Sequence, residues 1–290
     1  RIVDNIKLFV CCHQIGQEVP KYPFLYPIQV GSALADTHFP GFLYDDTGEN
    51  ISRKNRSYCE LTAQYWAWKN VDAEYYGFFH YRRYLYPDIP AGTPYCIEKS
   101  PSPETLRRLG FEKFPEYLRG YDLIAPIGED MHISAREQYA RANYHHKKDL
   151  DLAEQILKEQ APQYAPAAEA YLSQSVCYFG NLSIMRRPVF QEYCSWLFSI
   201  LEEFDRRADT SGYLPQEQRV DGYLAERLFG IYLTYQKQKK TLRIGYLPRV
   251  HFEPSGWKRW RRVFVNTLLP PGSKVRGKTK NAASRMLGKL

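Results

Sequence analysis

Tyr75-Tyr76-Gly77-Phe78-Phe79-His80-Tyr81-Arg82-Arg83-Tyr84 decides how this chain folds. Its first five residues carry no charge and four are aromatic, the pattern of a strand buried on both faces. Polar and cationic side chains follow at once, so the strand ends where a crevice opens. In an extended chain successive side chains alternate, which sends His80 and Arg82 to one face and Arg83 to the other. Arginine offers a planar fork of donors and histidine can donate or carry charge, so cations gathered there suit a diphosphate. A solvated, ion-paired sheet edge is the alternative; four polar residues closing an apolar strand weigh against it.

Outward from this stretch, strand and helix patterns alternate. Residues 6–12 read as a first strand ending at Cys12-His13. Pro20, Pro23 and Pro27 punctuate a loop, 28–35 reads as a short helix, and 41–44 as a strand. Residues 58–70 have helical spacing, with Leu61, Tyr65 and Trp68 on one stripe. Residues 87–103 read as a loop and 121–125 as a strand, with helices over 151–159 and 166–173. A strand follows over 176–185, then strong helices over 188–205 and 221–235, and a last strand over 243–247. This order predicts an α/β sheet that takes its ligands at the strands' carboxyl ends.

Composition sets the outer limits. The 290 residues, 44% hydrophobic and 25% charged, suit a globular chain with a real core. No stretch of about 18 uncharged apolar residues is present, which excludes a transmembrane helix. The first apolar run is too short for a signal-peptide core, and Arg1 in place of a start methionine reads as a chain excised from a longer one. Six cysteines without a C-x-x-C pair suit reduced, buried thiols in a cytoplasmic protein. The net charge of +8 is concentrated at one end. Residues 256–290 hold ten Lys/Arg and no acid, leaving 30 basic against 32 acidic residues in the body. No basic stripe with interleaved aromatics runs through that body, so nucleic acid is not an expected partner. Tyrosine, at 24 residues, favours sugar binding slightly, although core packing accounts for most aromatics.

Other segments carry possible chemistry. The block Asp45-Asp46-Thr47-Gly48-Glu49-Asn50-Ile51-Ser52 lies between a strand and a helix. Its carboxylates can accept hydrogen bonds from a uracil N–H or ribose hydroxyls; an Asx-rich turn with a helix cap at Ser57 is the alternative. His145 and His146 precede a D-x-D made by Asp149 and Asp151. Such a pair can hold a divalent metal on a diphosphate. Here it opens a helix, where Asp149 or Asp151 reads as the N-cap. Asn181 interrupts an apolar run, and it either satisfies local backbone or faces a substrate. Glu226, one turn into a helix, reads first as a salt-bridge partner of Arg227 or of a neighbouring element. Nucleotide-binding glycine loops, the G-x-S-x-G elbow and H-E-x-x-H are absent, and too few ligands gather for zinc. Two segments result: a body over 1–254 and a basic amphipathic segment over 255–290. In the latter, Trp257, Trp260, Phe264 and Leu268 share a stripe at 100° per residue, which predicts a helical interfacial anchor. A disordered basic tail or a linker is the alternative.

Together these pieces resemble the DUF4422 family of bacterial polysaccharide-assembly glycosyltransferases. The likeness runs from residue 6 to about 253. It is carried by Cys12-His13, Pro27-Ile28-Gln29-Val30-Gly31, the 45–52 block, Lys54-Asn55 and Tyr58-Cys59-Glu60-Leu61-Thr62. It continues through Tyr65-Trp66-Ala67-Trp68-Lys69-Asn70, the His80–Tyr84 run, Tyr121-Asp122-Leu123-Ile124, His145-His146 with Asp149-Leu150, and Asn181 with Met185. Tyr193-Cys194-Ser195-Trp196-Leu197-Phe198 and Ala225-Glu226-Arg227-Leu228 complete it.

The resemblance implies a GT-A-like nucleotide-sugar domain with a central mixed sheet flanked by helices. It implies an inverting enzyme that moves galactofuranose from UDP-galactofuranose to a lipid-linked glycan in a β-1,3 linkage, for O-antigen, capsule or exopolysaccharide. A UDP-galactose or UDP-glucose pyranose donor is the alternative; a non-catalytic nucleotide- or nucleic-acid-binding protein is a more distant one. By the same likeness Glu226 is the base, with Asp221 as runner-up. His80, Arg82 and Arg83, with His145 and His146, hold the diphosphate. His13, Asp45, Asp46, Glu60, Thr62 and Asn181 line the nucleoside and sugar pocket. Cations stand where such enzymes carry a metal-binding D-x-D, so no cofactor is expected, although a divalent metal stays open. Expected partners are a UDP-sugar, a lipid-linked oligosaccharide and the inner face of the cytoplasmic membrane.

Overall fold

The computed structural model describes residues 5–88 and 93–279. The end of the basic tail, including Lys280, Arg285 and Lys289, lies outside the described residues, as do 89–92 of the expected loop. The strands are β1 (Ile6–Cys12), β2 (Leu25–Gln29), β3 (Leu43–Tyr44), β4 (Tyr75–His80), β5 (Arg83–Leu85) and β6 (Tyr95–Glu98). They continue as β7 (Leu123–Pro126), β8 (Glu129–Asp130), β9 (Val176–Cys177), β10 (Ser183–Arg186), β11 (Ile244–Leu247) and β12 (Arg249–Phe252). The helices are α1 (Asn55–Tyr58), α2 (Leu61–Asn70), α3 (Pro103–Arg108), α4 (Phe114–Leu118) and α5 (Ala135–Arg141). Then come α6 (Lys147–Gln160), α7 (Ala165–Ser173), α8 (Arg187–Arg207), α9 (Val220–Lys239) and α10 (Gly256–Leu268).

The sheet runs in the order β11-β7-β10-β4-β1-β2-β3. β1 is parallel to both β2 and β4, while β10 is antiparallel to β4 and β7, which makes the sheet mixed. β12 joins it beside β5 and β6. As the aromatic run predicts, β4 is central and its first five residues are buried. Alternation splits the core in two. Phe9, Tyr76 and Phe78 pack on one face with residues of α2, α8 and α9; Leu8, Val10, Tyr75 and Phe79 pack on the other with Phe111 and Phe114. At Gly77 an added Cβ would come within 2.4 Å of Leu8, so only glycine lets the β1 side chain lean across β4.

Several boundaries differ from expectation, each for a local reason. The segment 28–35 is not one helix: Ile28 and Gln29 close β2, and only Ser32–Leu34 turns, as a 3-10 helix. β2 tolerates Pro27 because β3 pairs only from Ile28 onward, so the missing N–H faces an unpaired edge. The helix over 58–70 is broken at Cys59, whose φ is +52°, separating α1 from α2. The expected 87–103 loop contains β6. The strand over 176–185 is interrupted at Gly180 (φ +95°) and Asn181 (φ +50°). Most consequential is the end of β4. His80 pairs directly with Arg83, and Tyr81-Arg82 form the two-residue tip of a hairpin into β5. Chain reversal, not continued extension, therefore sets where these cations point.

Candidate active site

The carboxyl ends of β1 and β4 lie side by side, and a crevice of about 600 Å³ opens beyond them. His13, His80, Tyr81 and Arg82 line it from the sheet, Arg56, Cys59 and Glu60 from the α1–α2 junction, and Arg219 from the turn before α9. The break at Cys59 turns Glu60 toward this space. Asn55 Nδ2 donates to the Cys59 carbonyl at 2.7 Å and to Thr62 Oγ1 at 3.2 Å, and that hydroxyl donates to the same carbonyl at 3.0 Å. Thr62 is fully buried, so it secures the break and does not line the pocket.

The crevice is strongly cationic. Among the described residues, Arg56, Arg82 and Arg219 have no carboxylate within ion-pair distance. Arg82 lies over the Tyr81 ring at 5.0 Å, and Arg219 Nε donates to Cys59 Sγ at 3.3 Å. Burial, then Arg83, Arg82, His13 and Arg219, push the His80 pKa down to about 3. Burial, Arg219 and Arg82 also lower His13. His80 is thus neutral at pH 7, and its Nδ1 accepts the Arg82 N–H at 3.4 Å, leaving Nε2 as a donor. Two neutral imidazoles and three open guanidinium groups make an anion site. Arg56 and Arg219 were not foreseen: neither belongs to a segment read as chemistry-bearing from the residues, and only the fold brings them to Arg82.

Beside the cations lies a carboxylate pair. Glu60 Oε1 accepts from Asn181 Nδ2 at 2.7 Å, and the same amide donates to the Gly222 carbonyl at 3.1 Å. The left-handed backbone of Asn181 thus ties α2 to the first turn of α9. One turn further on, Glu226 Oε1 accepts the Gly180 N–H at 2.6 Å and Oε2 lies 3.6 Å from Arg227 Nη1. Burial raises the Glu226 pKa; Arg227 and the Gly180 N–H pull it back, Glu60 adds to the rise, and Arg83 opposes it. Arg83 feels both Glu226 and Glu60.

Other expected site residues are placed elsewhere. Asp45 is fully buried and its carboxylate accepts the Gly31 and Ser32 N–H groups at 2.8 and 2.9 Å, together with the Ser52 hydroxyl. It satisfies the start of a 3-10 turn, leaving no oxygen for a nucleoside. Asp46 pairs with His38 at 3.0 Å on a separate groove. His145 stacks on Tyr223 at 4.0 Å, and His146 pairs with Glu217 at 3.3 Å, so neither joins His80 and Arg82 in lining the crevice. The N-cap of α6 is His146, not Asp149 or Asp151. A spacing of two residues turns those carboxylates about 200° apart on the helix. Asp149 accepts from the Tyr213 hydroxyl, while Asp151 pairs with Lys147.

Asp221 is no base for the crevice, because it is fully buried against α1 with its carboxyl bonded to the Ser57 hydroxyl. Burial and the neighbouring Asp205 charge hold its pKa well above the usual carboxylate range, so it stays protonated at neutral pH. A group whose folded pKa is raised stabilises fully below its unfolded pKa, and that contribution is lost as pH rises through the folded value. Asp221→Asn should therefore gain stability over the parent as pH rises from about 4 toward 8, by up to about 1.4 kcal/mol per pH unit. Urea melts across that interval check this; a difference independent of pH overturns it.

Comparison with known proteins gives the chain a family and a fold. Residues 7–238 match the family described as a domain of unknown function, DUF4422. A solved apo structure described as the WbbM bifunctional glycosyltransferase superposes with a TM-score of 0.79 and 32% identity, over 86% of this chain. The match covers 45% of the WbbM chain, so the present chain spans less than half of that protein. The central mixed sheet flanked by helices is the GT-A-like architecture that the sequence leads one to expect. No curated protein matches the chain.

Proposed function

This chain belongs to the DUF4422 family, and from that premise we propose that it is a metal-independent, inverting glycosyltransferase of bacterial polysaccharide synthesis. The observation that carries this reading is the set of open cations, Arg56, Arg82 and Arg219, at the carboxyl ends of β1 and β4. The likeness to a bifunctional glycosyltransferase supports it. In the proposed reaction an acceptor hydroxyl attacks the anomeric carbon of a UDP-sugar as the bond to the diphosphate oxygen breaks. Glu226 takes the hydroxyl proton. The arginines and the Nε2–H of His80 meet the negative charge that grows on the departing UDP, the part a metal plays in related enzymes. In this reading Glu60, held by Asn181, binds a sugar hydroxyl, and His13 contacts the nucleoside. The donor we propose is UDP-galactofuranose and the product a β-1,3 linkage on a lipid-linked O-antigen, capsule or exopolysaccharide glycan, at the cytoplasmic membrane surface.

Incubating the protein with a panel of UDP-sugars and a galactose-terminated acceptor tests this, with linkage and anomer read by NMR. The expected result is transfer from UDP-galactofuranose giving a β product, undiminished by excess EDTA. Transfer only from UDP-galactose or UDP-glucose would replace the furanose donor by a pyranose. An α product removes the inverting mechanism.

A further inference from the structure

An ordinary surface helix turns its apolar stripe to the core and its charges to water. α10 does the opposite. Its half-buried residues are Arg259, Arg262, Asn266 and, just past its end, Leu269. Arg262 Nη2 lies 3.0 Å from His251 Nδ1, Arg259 donates to the Glu253 carbonyl at 3.2 Å, and Asn266 Oδ1 accepts from Tyr95 at 3.3 Å. The following chain folds back as a clasp. Arg276 donates to Asn266 and to the Leu269 carbonyl, and Gly272 O lies 2.9 Å from His132 Nε2. Polar contacts thus fix the helix on the body, and its apolar stripe is left in solvent. Trp257, Trp260, Phe264 and Leu268 are 68, 56, 49 and 62% exposed, and the three aromatic rings stack in a row at 5.3 and 5.4 Å.

We propose that this outward face seats in the interface of an anionic lipid bilayer. Indole and phenyl rings favour the boundary between headgroups and acyl chains, and cations around them favour anionic headgroups. Lys258 and Arg261 flank the stripe, exposed, in a segment that carries ten Lys/Arg and no acid. That excess also argues against a second copy as occupant, because two such faces would bring like charges together. The proposal extends the transferase reading to a membrane-borne acceptor, and it can fail separately.

Sedimentation of the full chain with vesicles tests it, comparing phosphatidylglycerol mixed with phosphatidylcholine against phosphatidylcholine alone. The protein should bind the anionic vesicles, release with salt, and shift its tryptophan emission to the blue. Trp260→Glu combined with Phe264→Glu should lower binding more than about tenfold. Lys258→Glu with Arg261→Glu should lower it about tenfold on anionic vesicles only. Both pairs should keep the parental melting curve and the parental rate on a soluble acceptor. Failure of the parent to bind, or unchanged binding by the aromatic pair, overturns the proposal. So does a concentration-dependent dimer that the aromatic pair abolishes in the absence of lipid. Loss of transfer by the parent itself would count against the transferase reading alone.

Discussion

Glu226→Gln is expected to slow glycosyl transfer by about two to four orders of magnitude while UDP still binds. The substitution keeps an acceptor for the Gly180 N–H, which Glu226 meets at 2.6 Å, so the local fold has no reason to change. What disappears is the basic oxygen. Because burial leads the rise in the Glu226 pKa, the acid limb of the rate profile should lie above the ordinary carboxylate range of about 4.3. Turnover then falls as pH drops through that value, and the variant should show no such limb. Calorimetry with UDP and initial rates across pH read both effects. A near-parental rate would move the base role to Glu60, which lines the cationic crevice; Asp221 remains too deeply buried for it.

Arg82→Ala should remove about 2–4 kcal/mol of transition-state stabilisation, because the charge it faces grows only as the diphosphate departs. On that ground kcat should fall more than donor KM rises. Lysine at the same position keeps a point charge and loses the forked donors, so it should recover part of the rate. Arg219→Ala should behave alike, with one difference: it also frees Cys59 Sγ, which accepts its Nε–H at 3.3 Å. Rates measured with EDTA and with added manganese separate this from metal catalysis. If EDTA abolishes turnover and manganese restores it, the arginines are not the main partners of the leaving group.

The parts of the fold readable from sequence are those governed by a local period. β1 and β4 are short apolar runs closed by polar residues, while α8, a long amphipathic pattern, and α9, a long helix buried on most sides, lie near their expected limits. β12 and β6 were missed because each is four residues long and pairs with a partner distant in sequence. The His80–Arg83 run announced a site, but no residue in it announced that the chain reverses at Tyr81-Arg82. The acidic block 45–52 misled in the other direction. A carboxylate that caps backbone N–H groups and one that meets a ligand have the same spelling, and only burial separates Asp45 from Glu60. Arg56 and Arg219 carried no signal because exposed arginines are common, and their meaning comes from convergence.

The hairpin at the end of β4 sets activity against stability. A two-residue turn between paired strands gives Arg82 and Arg83 little room to separate. Their mutual repulsion is present before any ligand arrives. Burial first, and then a set of cations that includes both, drives the His80 and His251 pKa values down to about 3 and 2. The empty protein therefore holds a field suited to an anion it has not yet met, and folding works against that field. Arg82→Ala should accordingly change two properties with opposite signs: slower transfer and a higher melting temperature. UDP, by neutralising the same charges, should raise the melting point of the parent more than that of the variant.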